Sequence, residues 1–72
     1  MNIIEKIRKF EEIGYKKTSD SSPLVSLSLA DRDGETIVVI DTNKRTATKH
    51  YYICGDSYRV SFTKRELDAL GS

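Results

Sequence analysis

Only one cysteine, Cys54, stands among the 72 residues. One thiol cannot close a disulfide within the monomer. With His50 as the sole histidine, a zinc site built from four Cys and His ligands is also out of reach. No metal and no cofactor are therefore expected. A lone free thiol suits a reducing compartment, so the expected location is cytoplasmic. Long apolar runs are missing as well. The longest, Ile37 to Ile40, has four residues, against the roughly 20 that a membrane span requires. Met1 to Phe10 alternates charged with apolar residues and lacks the continuous apolar stretch of a secretory signal. Neither membrane association nor a targeting segment is expected. Net charge is small too: 12 Lys and Arg against 11 Asp and Glu leave +1, too little to drive nucleic-acid or membrane binding by itself.

The residues that are present make an ordinary globular composition, 38% hydrophobic and 32% charged, which argues against disorder. The length allows one domain over 1–72, with no internal repeat and no interdomain linker. A chain this short buries only about 60% of the surface its unfolded form exposes. Without a disulfide or metal it depends on a packed core or on a partner.

Periodicity places the elements. Ile3, Ile4, Ile7, Phe10 and Ile13 form one apolar stripe at helical spacing. Asn2 and Glu5 have capping-box spacing, and Gly14 stands where a left-handed C-cap is expected. Tyr15 to Thr18 reads as a short strand or an extended exit, and Ser19 to Pro23 as a loop. Leu24 to Ala30 alternates cleanly, as a half-buried strand does. Asp31 to Gly34 reads as a turn with Gly34 in a left-handed position. The apolar run in Thr36 to Asp41 predicts a central strand covered on both faces. Strands over Thr46 to Cys54 and Tyr58 to Phe62 follow, with a turn at Gly55, Asp56 and Ser57. Thr63-x-x-Glu66 is a second capping box, Phe62 and Leu67 have staple spacing, and Gly71 closes the helix. The fold class expected is α+β: an N-terminal helix, a meander of three to four antiparallel strands, and a short C-terminal helix. The expected core combines Ile4, Ile7 and Phe10 with Val25, Leu27, Leu29, Ile37, Val39, Ile53 and Val60, joined by Leu67 and Leu70.

Catalytic chemistry finds little support. His50 and Cys54 sit about 13 Å apart along an extended strand, too far for a thiolate–imidazole pair. Asp31 and Asp33 flank a turn glycine, where Asp serves backbone hydrogen bonding. No phosphate-cradling glycine loop and no nucleophile elbow is present. The chain is not expected to be an enzyme.

Charge, by contrast, is unevenly placed. Asp31, Asp33, Glu35 and Asp41 face only Arg32 within residues 31–41, whereas Lys44, Arg45, Lys49, Arg59, Lys64 and Arg65 face only Asp56 within residues 44–65. Within the basic stretch, Lys44, Arg45, Lys49, His50, Tyr52, Tyr58 and Arg59 form a candidate binding set. Cations and aromatics on a sheet suit either single-stranded nucleic acid or a protein partner. The bland alternative is a solvated sheet face.

Four stretches carry a resemblance: Met1-Asn2-Ile3-Ile4-Glu5-Lys6, Ile13-Gly14-Tyr15, Ile40-Asp41-Thr42-Asn43-Lys44, and Phe62-Thr63-Lys64-Arg65-Glu66-Leu67-Asp68-Ala69-Leu70. On these the chain resembles the small proteins common in phages and prophages of Gram-positive bacteria. Its order of elements is similar to that of small anti-CRISPR inhibitors from Listeria prophages, which are strongly acidic where this chain is not. The resemblance implies a non-catalytic accessory protein in the cytoplasm of a bacterial host. It would act by binding another protein, as an inhibitor of a host defence system for example. The alternatives are a nucleic-acid-binding module using the basic and aromatic sheet face, and a homodimeric structural protein.

Overall fold

The computed structural model describes residues 3–71. The elements run α1 (Ile3–Ile13), β1 (Lys16–Ser21), β2 (Leu24–Ala30), β3 (Glu35–Asp41), β4 (Thr46–Ile53), β5 (Asp56–Arg59) and α2 (Lys64–Leu70). The five strands pair antiparallel in sequence order, so the sheet is a simple meander. The α+β class expected from the sequence holds, with five strands where three to four were expected.

The extra strand joins the stretch read as a short strand or an extended exit, Tyr15 to Thr18, to the first half of the segment read as a loop. Ser19, Asp20 and Ser21 pair with Ser26, Val25 and Leu24, and the connection shrinks to Ser22 and Pro23, joined by a cis peptide bond. Strand β1 is an exposed edge, and the register shifts between Lys17 and Ser19. Its polar sequence gives no apolar alternation, and a bulge with a lysine beside it is a common way to blunt an edge. The last strand also lies earlier than expected, at Asp56–Arg59. Cys54 (φ 51) and Gly55 (φ 82) form a two-residue turn with both residues left-handed, the backbone that matches strand twist in a tight hairpin.

Helix α1 ends in a left-handed cap at Gly14 (φ 125). The Gly14 amide donates to the Glu11 carbonyl at 3.0 Å, and the Tyr15 amide donates to the Phe10 carbonyl at 3.0 Å. This is the Schellman pattern, and its usual apolar contact is present: the Phe10 and Tyr15 rings meet edge to face at 5.3 Å. Asn2, expected to cap the helix, lies outside the described residues. Helix α2 has the full capping box, with the Thr63 hydroxyl accepting from the Glu66 amide and the Glu66 carboxylate accepting from the Thr63 amide.

Both helices cover one face of the sheet. The core is Phe10, Tyr15, Leu27, Val38, Ile40 and Ala69, with Ile3, Ile7, Ile13, Leu29, Ala47, Phe62 and Leu70 packed around it. Val25 and Leu27 pair with Ile40 and Val38, so these residues share the covered face. Ile37 and Val39, placed in the core by the sequence reading, alternate to the opposite face, which no element covers. Two further core expectations are corrected. Ile4 is 61% exposed and Leu67 is 56% exposed; Ala69 takes the place against the core that Leu67 was expected to fill.

Gly34 is not left-handed, contrary to expectation; only Gly14 and Gly55 among the described glycines have positive φ. What it requires is closeness. A Cβ on Gly34 would stand 2.3 Å from the Tyr52 carbonyl oxygen and 3.0 Å from the Tyr51 ring, whereas a Cβ on Gly55 would meet nothing within 4 Å. Gly55→Ala is expected to cost about 1 kcal/mol, from left-handed strain alone. Gly34→Ala is expected to cost about 3 kcal/mol, because backbone must move. Urea denaturation of the two variants checks the order; equal costs would reject close approach as the reason for Gly34.

Candidate functional site

Antiparallel pairing and strand alternation assign every side chain of the meander to one face. The uncovered face can be read row by row. One row holds Leu24, Asp41 and Thr46; the next holds Ser26, Val39 and Thr48; the third holds Lys16, Ser28, Ile37, His50 and Arg59; the fourth holds Ala30, Glu35, Tyr52 and Ser57. Leu24, Val39, Ile37 and Tyr52 therefore lie on a diagonal across the sheet. This apolar stripe is set among serines and threonines, and its Leu24 and Tyr52 ends are exposed.

The candidate binding residues do not gather in one place. His50, Tyr52 and Arg59 share the uncovered face, with the His50 and Tyr52 rings 6.4 Å apart and Arg59 directly across from His50. Lys44 and Arg45 lie in the β3–β4 turn, where the Asp41 Oδ1 accepts the Asn43 and Lys44 amides at 3.0 Å each. Tyr58 pairs with Tyr51 and points to the helix side, at an exposed edge. Lys49 is withdrawn from the surface. Its side chain is 11% exposed, and its Nζ donates to the Glu66 Oε1 at 2.7 Å and to the Ser61 carbonyl at 3.3 Å.

Glu66 is the buried node that the sequence reading did not identify. Its Oε1 also accepts the Thr63 amide at 2.8 Å, and its Oε2 accepts the Tyr15 hydroxyl. Burial by itself raises the Glu66 pKa. The hydrogen bonds from Lys49, Tyr15 and Thr63, with the charge of Lys49, outweigh that and hold it below its ordinary value. The Tyr15 hydroxyl is pushed well up, first by burial and then by its bond to the Glu66 carboxylate. This is a structural clasp joining the exit of α1, strand β4 and the start of α2. Its one advance signal was the capping box, which announces Glu66 at the third helical position but not its burial.

The acidic stretch also resolves into turn chemistry. Asp31 Oδ1 accepts the Asp33 and Gly34 amides at 2.9 and 2.7 Å, and the Tyr51 hydroxyl donates to both Asp31 oxygens at 3.1 Å. The Gly34 and Asp33 amides, then Tyr51, hold the Asp31 pKa below its ordinary value.

A second feature lies where the helices meet the β3–β4 hairpin. A groove of about 670 Å³ runs over Ile3, Ile40, Ala47, Phe62, Leu67 and Leu70. Lys6, Asp41, Thr42, Arg45 and Thr46 stand on its walls. Lys6 Nζ donates to the Leu70 carbonyl and so closes the end of α2. Arg45 is exposed, sits at φ 55, and has no hydrogen bond or ion pair among the described residues. A left-handed arginine costs roughly 1–2 kcal/mol, and its guanidinium gains no partner among the described residues. A smaller hollow of about 290 Å³ lies between α1 and α2. Neither cavity is lined by Glu66 or Tyr15. Among the described residues no group of His, Cys, Asp and Glu is placed to hold a metal ion, and no helix is long and apolar enough to cross a membrane.

Comparison with family models, with curated proteins and with solved structures finds no match.

Because Glu66 has a lowered pKa in the folded state, its contribution to stability is fully present above the ordinary value of 4.5 and is lost as pH falls through the lower folded value. Glu66→Gln is expected to cost about 3 kcal/mol at pH 7, since it leaves Lys49 buried without its counter-charge. It is also expected to flatten the fall in melting temperature below pH 4.5. Thermal melts of both proteins from pH 7 to pH 2 check this; parallel curves would show that Glu66 does not carry the acid sensitivity.

Proposed function

We propose that this chain is a non-catalytic binding protein that holds a segment of another protein in the groove between its helix ends and the β3–β4 hairpin. The reading is carried by the groove itself. It presents an apolar floor with Leu67 largely in solvent, and on its wall stands an exposed guanidinium that is unpaired among the described residues. Apolar concavities with few convergent polar groups are the usual form of binding sites. The chemistry selects an amphipathic segment that places apolar side chains on Phe62, Leu67 and Leu70 and a carboxylate on Arg45, in the helix-in-groove manner. The strained backbone at Arg45 supports the same reading, since an asparagine there would fold more easily. Such binding suits the accessory role that the resemblance to phage and prophage proteins implies, including inhibition of a host defence system by occupying one of its components. The nucleic-acid alternative is weakened by the loss of Lys49 from the exposed set.

Arg45→Asn and Leu67→Glu separate stability from binding. Arg45→Asn is expected to leave the fold as stable as before or up to about 1 kcal/mol more so, and Leu67→Glu, at an exposed site, to cost under about 0.5 kcal/mol. Capture from a Gram-positive bacterial lysate, read by mass spectrometry, is expected to enrich one protein on the parent chain and to lose it at least tenfold on both variants. Capture of nucleic acid alone, or of a protein indifferent to both substitutions, would reject the groove as the binding site.

A further inference from the structure

The uncovered sheet face carries a charge pattern that is complementary to itself. Its formal charges are four, apart from His50. Glu35 and Asp41 stand at the two ends of β3, and Lys16 and Arg59 stand on the two edge strands β1 and β5, in the same row as Ile37. The acids are six residues apart, about 20 Å along the strand, and the cations are four strand spacings apart, about 19 Å across the sheet. Two arms of nearly equal length thus cross near the centre of the face, one negative at both ends and one positive at both ends. The apolar stripe from Leu24 through Val39 and Ile37 to Tyr52 runs between the arms, about 25° from the strand direction.

We propose that this face is occupied by a second copy of the chain, stacked with its strands close to perpendicular and with the two-fold axis on the bisector of the two arms, about 20° from the apolar stripe. Turning a copy about that bisector exchanges the arms. Each Glu35 then lies over the partner's Arg59, each Asp41 near the partner's Lys16, and the two apolar stripes cross over the centre of the face. Near-perpendicular stacking is one of the two standard ways in which sheets pack face to face, with about 10 Å between them. Parallel alignment of the strands would set acid over acid, so the charges choose the crossing angle. An isologous contact of this kind forms every pair twice, as two-fold symmetry requires. His50 and Thr48 fill the rim beside the stripe. The face measures roughly 20 by 19 Å. That is smaller than the standard stable interface, so the dimer is weak, with dissociation between about 10 µM and 1 mM. Its ion pairs lie on the rim, so it loosens with salt.

Charge exchange tests the arrangement. Sedimentation velocity on the full chain over about 10 µM to 2 mM is expected to show a monomer–dimer equilibrium at low salt. Raising salt to 0.5 M is expected to weaken it at least threefold. Arg59→Glu is expected to weaken association at least tenfold, because glutamates then face glutamates. Adding Glu35→Lys to Arg59→Glu restores opposite charges across the axis and is expected to recover most of the dimer. Leu67→Glu, in the groove, is expected to leave dimerisation unchanged. Circular dichroism of each variant confirms folding; Arg59 and Glu35 are exposed, and a second reporter, Lys16→Glu, stands in if either variant unfolds. A parent chain that stays monomeric at 2 mM overturns the proposal. So does a dimer indifferent to Arg59→Glu, or one not rescued by the exchange.

Discussion

The carboxylate of Glu66 ties together three segments that are distant along the chain. Tyr15 comes from the exit of α1, Lys49 from β4, and the Thr63 amide from the start of α2 itself. A small sheet with one covered face needs its covering helices held in place, and α2 has seven residues, too few to persist alone. The clasp supplies that hold with charge-assisted hydrogen bonds in a place shielded from water, where they are strongest. It also commits the chain. Removing either partner strands a buried charge, which makes the node far more expensive to break than its net contribution suggests.

That commitment decides which polar residues remain for binding. Lys49 and Glu66 are spent on each other, Asp31 on turn amides and the Tyr51 hydroxyl, and Lys6 on the end of α2. Two surfaces combine apolar area with exposed polar residues that these bonds do not use. The groove has Arg45, and the sheet face has His50, Tyr52 and Arg59 among its polar neighbours. The two surfaces meet only at the Asp41–Thr46 end of the sheet, so a second copy on the face would leave most of the groove open.

The helices were legible in the sequence because they carry redundant signals. Helix α1 has a five-residue stripe at helical spacing and a terminal glycine, and α2 has a capping box. The hairpin from β2 to β3 was legible from the alternation of Leu24 to Ala30. The facing of β3 was not. Ile37 to Ile40 is apolar at every position, so it has no period-two signal. Which pair faces inward is set across the ladder by Val25 and Leu27, which put Ile40 and Val38 inside. The burial of Lys49 was equally silent. Its partner lies 17 residues on, and nothing local distinguishes it from the cations of the turn before it. The full extent of β1 was not legible because an exposed edge needs no apolar pattern, and β5 was expected too late in the chain because Cys54 is an uncommon residue for a left-handed turn position.

The meander order has a kinetic consequence. Every sheet partner is also the next strand in sequence, so each hairpin closes a short loop and the sheet assembles from contacts near in the chain. The contacts that span most of the length, Tyr15 to Glu66 and Lys6 to Leu70, belong to the helices. Folding can therefore zip the strands quickly, with the docking of the two helices as the step that closes the longest loop. Until it happens, Leu27, Val38 and Ile40 stand in water beside Ile37 and Val39, and the sheet is apolar on both sides.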